Sequence, residues 1–370
     1  MVPFASRHLQ LTPMPTKRIT SPAFFIGKGA QGDLISFGSG QPDLPPPAEL
    51  FSVRLGPRKF PYGLIQGEEK LRTAIAKEYP NAKPEQFVIT NGASEAIDLT
   101  LRAISRPGAR VLLPVPYYYS YPHNVRFAGM VPDYYKLRRG KIEIESFLNK
   151  LSRAHAVLIN SPSNPAGSVQ DVEVLKHIEK MAAKYNVHVI SDEIYKDLIY
   201  ERENYLLKGP HVHTINSFSK TFAMCGLRVG YLFSKDEEVV KKVIEMKSHT
   251  AMNTNVLAQE MASKALQAPK SLIEKQRNLW RERRDFIYAT MLEMGLDLWK
   301  PEGAFYVFPK FKDANRVVSE LFHKYKIITY DGAWFGDPTR VRFSYALDIE
   351  RIKKGLDRVK AFLNKEYRSY

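Results

Sequence analysis

The 370-residue chain is predicted to fold as an α/β protein, with a mainly parallel central sheet sandwiched by helices and a smaller α+β domain beside it. Three observations predict this. Short apolar runs recur through the middle of the chain: FVIT at 87–90, RVLL at 110–113, AVLI at 156–159, VHVI at 187–190, TINS at 214–217 and VGYLF at 229–233. Continuous rather than alternating hydrophobicity marks strands buried on both faces, as in parallel sheets covered by helices. The intervening stretches, among them 94–104 and 172–185, carry apolar residues at helical spacing. The length also exceeds the roughly 250–300 residues at which single cores stop growing, so two domains are expected.

In chain order, residues 1–39 are proline-rich (Pro3, Pro13, Pro15, Pro22) and read as an irregular arm that packs onto the smaller domain. Residues 40–265 hold the alternating strands and helices of the large domain. Residues 266–370 form the rest of the small one: a helical stretch at 271–292, the apolar YVFPKF at 306–311, a strand in RVRFSYA at 340–346 and a helix over 348–364.

Composition narrows the function. The formal charge is +16, but the basic residues are scattered. Lys136, Arg138, Arg139 and Lys141 form one short run, and Arg281, Arg283 and Arg284 another, read as the solvated face of a helix. This is a basic surface that attracts small anions, and no nucleic-acid partner is expected. No apolar run approaches the roughly 20 residues of a membrane span, and MVPFASRHLQ lacks the apolar segment of a secretory signal. The single cysteine, Cys225, excludes an intrachain disulfide and fits a reducing cytoplasm. His123, His188, His211 and His213 have no companions at ligand spacing, so no metal is expected. Neither a dinucleotide fingerprint nor a phosphate-binding G-x-x-x-x-G-K-[ST] loop occurs.

The polar motifs fall where the strands end: NGAS after FVIT, NSPSNPAG after AVLI, SDEIY after VHVI and SFSK after TINS. In open α/β sheets ligands bind beyond the carboxyl ends of strands, so these tips are expected to line one crevice.

These motifs, in order from about Gly38 to Ala346, resemble those of the aspartate-aminotransferase superfamily, the fold-type I pyridoxal-phosphate enzymes of class I/II. In SFSKTFAMCGLRVG at 217–230, the resemblance makes Lys220 the lysine that holds pyridoxal 5′-phosphate as a Schiff base and carries protons at the substrate's α-carbon. Such an amine must be neutral part of the time, which a desolvated pocket favours. Ser217, Ser219 and Arg228 match phosphate ligands. In SDEIYKDLIY, Asp192 matches the carboxylate that keeps the pyridine nitrogen protonated, and Tyr195 the hydroxyl that meets the ring's phenolic oxygen. Glu193 and Asp197 are read as solvated. In NSPSNPAGSV, Asn164 matches the residue that meets both the ring oxygen and the substrate carboxylate, with a cis bond expected at Asn164–Pro165. The family's usual threonine is Ala166 here.

The amides of Ala93 and Ser94, at a helix start, would receive phosphate. Tyr118 matches the aromatic residue that stacks on the ring, while Tyr117, Tyr119 and Tyr121 are left to core or pocket. Arg342 matches the arginine that forks onto the α-carboxylate, in preference to Arg340, and Gly40 a backbone contact to the same group. Tyr62 matches a tyrosine that reaches the partner's phosphate, which implies a homodimer.

The implied activity is amino transfer from an L-amino acid, with aspartate the first choice, to a 2-oxo acid such as 2-oxoglutarate. A lyase, decarboxylase or cyclising synthase would share the fold and cofactor residues. A cofactor-sensing transcription regulator would need a DNA-binding module, for which the forty residues before GSGQPD are too few and too irregular.

Overall fold

The computed structural model describes residues 19–367 apart from 26–27, 29–31, 54–55 and 57–58. Pro3, Pro13 and Pro15 lie outside the described residues; Pro22 opens a short 3-10 turn, Pro22–Phe25. Each apolar run is a strand of one eight-stranded sheet: β1 (Phe87–Thr90), β2 (Arg110–Val115), β3 (Val131–Arg138), β4 (Lys141–Ile142), β5 (Ala156–Asn160), β6 (His188–Asp192), β7 (Val212–Ser217) and β8 (Gly230–Ser234). Their order is β1-β8-β7-β6-β5-β2-β3-β4. Neighbours from β7 through β3 pair in parallel, while β8 runs against both β1 and β7 and the short β4 against β3.

Strands β3 and β4 were not legible as strands. VPDYYKLR mixes charge with tyrosine because β3 is near the sheet's edge and most of its residues are only partly buried. The inner strands β5 and β7 are buried at every position, as their unbroken apolar runs require.

Helix α1 (Ala93–Ala103) buries Ala93, Ala96, Ile97, Thr100 and Leu101, a stripe at three- and four-residue spacing that faces the sheet. Helix α2 (Val172–Tyr185) ends at Asn186 in the left-handed conformation, a C-terminal stop. Helices α3 (Glu237–His249) and α4 (Lys270–Glu293) follow. The last third adds β9 (Tyr306–Val307), β10 (Tyr330–Asp331) and β11 (Val341–Ser344), a three-stranded sheet with β11 central, and α5 (Ile349–Phe362). Ile35–Ser36 pairs in parallel with Ile327–Ile328, and Ile35 and Phe37 share an apolar cluster with Trp280, Val341 and Leu356.

One charged stretch differs from its reading in the sequence. Arg283 and Arg284 are buried, not solvated. Arg283 pairs with Asp43 at 2.8 Å and Arg284 with Glu201 at 2.8 Å. Both partners come from remote loops, and pairing is what lets a guanidinium leave water.

At the strand starts, opposite the crevice, histidines from adjacent strands meet. His188 Nδ1 lies 2.9 Å from His213 Nε2, and His213 Nδ1 2.9 Å from Ser234 Oγ. Burial, reinforced by neighbouring histidines, pushes His188 down to about 4 and His213 down to about 3, while Asp236 acts weakly the other way. The unfolded chain binds these protons near pH 6.5 and the folded one does not. Their stabilisation is therefore complete above pH 6.5 and is lost as pH falls toward 4 and then 3. Each site contributes at most about 1.4 kcal/mol per pH unit. The denaturant midpoint of the wild type should fall more between pH 7 and pH 5 than that of His188→Gln/His213→Gln; equal falls would exclude these histidines as the source. Among the described residues no group of histidine, cysteine or carboxylate could hold a metal ion, and no helix is long and apolar enough to cross a membrane.

Candidate active site

A cavity of about 330 Å³ opens at the carboxyl ends of the parallel strands. Its ionisable lining is Asp192, Lys220, Arg228 and Arg342, two guanidiniums and an amine against one carboxylate, a field that draws in anions.

One end is built around Gly92, which precedes α1 at φ 81°. A Cβ there would stand 2.4 Å from Arg228 Nη2, and one on Gly230 would stand 2.6 Å from the Gly92 carbonyl carbon. Two glycines thus let α1, β8 and Arg228 converge. Ala93 and Ser94 line the cavity with the helix's unpaired amides. Arg228, itself left-handed at φ 55°, is anchored by Cys225 O at 3.0 Å and Asn91 O at 3.3 Å, and its exposed head remains available to a ligand.

In the centre, Lys220 Nζ donates to Gly40 O at 2.6 Å. Burial pushes its pKa down and Arg342 and Arg228 add to the effect, while Cys225 and Asp192 oppose it; the net effect favours a neutral amine. Asp192 ends β6 and is buried. Burial raises its carboxyl to about 6, opposed by the Tyr121 hydroxyl, which donates at 2.5 Å, and by the Ile194 amide at 3.2 Å. Tyr195 and Tyr306 hydroxyls are 2.7 Å apart. Tyr118 lines the cavity with its ring 4.6 Å from that of Tyr119 and edge-on to Tyr121.

The far end belongs to Arg342. Nη1 donates to Asn164 Oδ1 at 2.9 Å and Nη2 to Gly38 O at 2.5 Å, whereas the buried Nε has no partner. The rings of Tyr306 and Tyr330 lie 4.6 Å from the guanidinium carbon and Phe335 4.9 Å. Asn160 ties the strand tips together: its Oδ1 accepts from the Asn164 amide at 2.9 Å and its Nδ2 donates to Asp192 O at 3.1 Å. The Asn164–Pro165 peptide is cis, as are Ser161–Pro162 and Val115–Pro116. Arg340 turns away, to Phe308 O at 2.9 Å and Asp297 at 3.2 Å.

The fold therefore gathers Gly40, Ala93, Ser94, Tyr118, Asn164, Asp192, Tyr195, Ser219, Lys220, Arg228 and Arg342 around one cavity. Two expected residues are not there. Ser217 is buried at the end of β7, where its Oγ accepts from the Ser219 amide at 3.2 Å and it borders a separate cavity. Tyr62 is 81% exposed and lies beside Phe60 and Leu64.

Glu193 corrects the reading of it as a solvated carboxylate. It is 3% exposed, accepts from Ser191 Oγ at 2.8 Å, and burial pushes its carboxyl up to about 8. Asp197 is likewise paired, with Lys196 and Thr221. Sequence reasoning also left Tyr121, Asn160 and Tyr306 without roles. The first two stood inside motifs already singled out, PYYYSYP and NSPSNPAG, and the hydrogen-bonding side chain in each is the only signal available.

This fold and this site define a class I/II aminotransferase. The family model for aminotransferase class I and II matches residues 32–359, and the chain belongs to that family. It is 35% identical to a probable aspartate/prephenate aminotransferase of Aquifex aeolicus, over 97% of this chain and 98% of that protein. It is 32% identical to an aspartate aminotransferase of Bacillus subtilis, over 98% and 99%. The crystal structure of aspartate aminotransferase from Thermotoga maritima superposes with a TM-score of 0.86 at 33% identity, covering 93% of this chain and 95% of that one. The protein is an enzyme, an aminotransferase.

Proposed function

We propose that the enzyme uses pyridoxal 5′-phosphate to move the amino group of an L-amino acid, aspartate in the first instance, to a 2-oxo acid such as 2-oxoglutarate. The observation that carries this reading is the spacing of opposite needs along one cavity. A helix N-terminus with Arg228 stands at one end, a buried carboxylate and a buried amine in the middle, and a half-satisfied guanidinium at the other. The residues fit the cofactor on three counts: Asp192 is a buried carboxylate with no cation in hydrogen-bond contact, the α1 amides and Arg228 suit a dianion, and Lys220 is held toward its neutral form.

When bound, pyridoxal phosphate supplies a carbonyl carbon for the amino group and a ring that accepts the electrons of the substrate's Cα–H bond. The protein supplies the rest. Arg342 orients the α-carboxylate through its paired donors, with Asn164 beside it. Lys220 takes a proton from the α-carbon and returns it on the cofactor side, a task that needs an amine poised between its two protonation states. Asp192 would keep a proton on the pyridine nitrogen, and Tyr121 holds Asp192 in place. Tyr195 would meet the ring oxygen, Tyr118 would cover a ring face, and Ser219 with Ala93, Ser94 and Arg228 would hold the phosphate. Ser217 keeps its O–H free to donate, since its oxygen only accepts from the Ser219 amide, but it borders a separate cavity.

We propose 40–265 as the cofactor-binding domain and the described residues of 1–39 and 266–370 as the smaller one. The working unit is a homodimer: Phe60, Tyr62 and Leu64 form an exposed apolar group that a second copy would cover, bringing Tyr62 to the other subunit's phosphate. The lone cysteine is free, which supports a reducing cytoplasm.

A half-reaction screen tests the reading. Holoenzyme mixed with a single L-amino acid should convert the cofactor's aldehyde-derived absorbance to that of the amine form in one stoichiometric turnover, and release the matching 2-oxo acid. Release of ammonia or pyruvate without that conversion would replace transfer with lyase chemistry.

A further inference from the structure

Lys247 sits in the last turn of α3 with its side chain 0% exposed. A buried ammonium is tolerated only when it is paired, so its partners define its role. Its Nζ donates to Glu95 Oε2 at 3.4 Å and to Thr254 Oγ1 at 3.3 Å. Glu95 stands in the first turn of α1, the helix whose opening residues line the cavity. The same carboxylate accepts from the Asn91 amide at 2.6 Å and from Asn91 Nδ2 at 3.1 Å. Asn91 in turn offers its carbonyl to Arg228 Nη2 at 3.3 Å. Thr254 completes the set by donating to Ile89 O at 3.3 Å, on the strand that leads into Asn91.

Two physical effects meet here. Glu95 clamps Asn91 directly before Gly92, so the position of its carboxylate sets where the α1 amides and Arg228 are presented. A carboxylate in the first turn also puts a negative charge beside a site built for an anion, and inside a protein such a charge acts over several ångströms with little screening. Lys247 answers both, fixing the carboxylate and cancelling its charge.

We propose that Lys247 is a positioning residue for the phosphate end of the cavity: paired with Glu95, it holds the Asn91–Gly92 turn in place and neutralises a carboxylate that would otherwise repel the cofactor's phosphate. The proposal rests on the pyridoxal-phosphate reading of the site. Burial pushes the Lys247 ammonium below the usual lysine range, with Glu95 opposing that push, so the pair holds together through the charge on Glu95.

The test is equilibrium binding of two probes to the apoenzyme, pyridoxal phosphate and pyridoxal, which differ only in the phosphate. Lys247→Met should weaken pyridoxal phosphate about tenfold or more and leave pyridoxal within about twofold. Lys242→Met, an exposed lysine on the same helix, should change neither. Glu95→Gln/Lys247→Met removes both charges and keeps an amide able to bond Asn91 once that side-chain amide turns over. It should recover pyridoxal phosphate binding to within about threefold of wild type. Should Lys247→Met not fold, this double variant carries the test. Equal affinity of Lys247→Met and wild type for pyridoxal phosphate would overturn the proposal. So would a parallel loss for both probes, or a double variant still tenfold weak. Wild-type apoenzyme that binds pyridoxal phosphate no better than pyridoxal would instead overturn the reading of the cavity's phosphate end.

Discussion

Lys220→Ala is expected to lower steady-state amino transfer by at least about 10⁴-fold. A positioned proton carrier contributes roughly 10²–10⁴, and in the proposed reading the same amine supplies the covalent attachment that splits the reaction into easier steps. The cavity offers no substitute. Its other cations, Arg228 and Arg342, are guanidiniums that stay protonated, and the Cys225 thiol, 4.0 Å from Lys220 Nζ, donates instead to Ser219 O at 3.1 Å. The variant should fold, because the deleted amine makes one strong hydrogen bond, to Gly40 O, and its loss leaves space inside an already open cavity. The check is turnover by coupled assay, together with a thermal melt. A variant that retains steady-state activity within about tenfold of wild type would remove Lys220 from the centre of the chemistry.

Asp192→Asn should reduce kcat by about two to three orders of magnitude while leaving the fold intact. The change preserves shape: the amide oxygen still accepts from the Ile194 amide, and the NH2 that replaces the other oxygen can donate to the Tyr121 hydroxyl, the two groups now bonded to the carboxylate. It removes the charge that the proposed reading sets opposite the pyridine nitrogen. Breaking a buried charge pair by neutralising one member costs about 3–5 kcal/mol, and here that loss falls on the proton the ring needs while the α-carbon is deprotonated. The pH dependence carries the sign. Without a bound cation Asp192 titrates at about 6, raised by burial. Cofactor binding in the protonated-ring form should therefore weaken as pH falls below 6 in the wild type, where the carboxylate is lost. The same slope should be absent in Asp192→Asn. Measured kcat within threefold of wild type, or an unchanged slope, would exclude the pairing.

Much of this site could be read without a structure. Lys220, Asp192, Asn164, Arg228 and Arg342 sit in short motifs at predicted strand ends, and a parallel sheet delivers strand ends to one side whatever the details of packing. The choice of Arg342 over Arg340 followed from the flanking F-S-Y-A, and the structure separates the two: Arg342 donates to Asn164 and Gly38 within the cavity, Arg340 to Phe308 and Asp297 outside it. Strand β3 was missed for a local reason, since an edge position relaxes the demand for apolar residues.

The residues that escaped the sequence share a physical cause. Whether a polar side chain is buried depends on whether a partner reaches it, and here the partners come from far along the chain. Tyr121 meets Asp192, Arg283 meets Asp43, and Lys247 meets Glu95, separations of 71, 240 and 152 residues. Nothing in MKSH distinguishes Lys247 from a solvated lysine, and nothing in SDEIY shows that Glu193 will be enclosed and pushed up to about 8. Chain-local chemistry was enough for six of the eight strands and for the polar motifs at their ends, because periodicity and turn composition act over a few residues, and the resemblance of those motifs singled out Lys220. Tertiary structure alone decided which charges leave water, since desolvation and pairing are set by neighbours that only the folded chain brings within hydrogen-bonding distance.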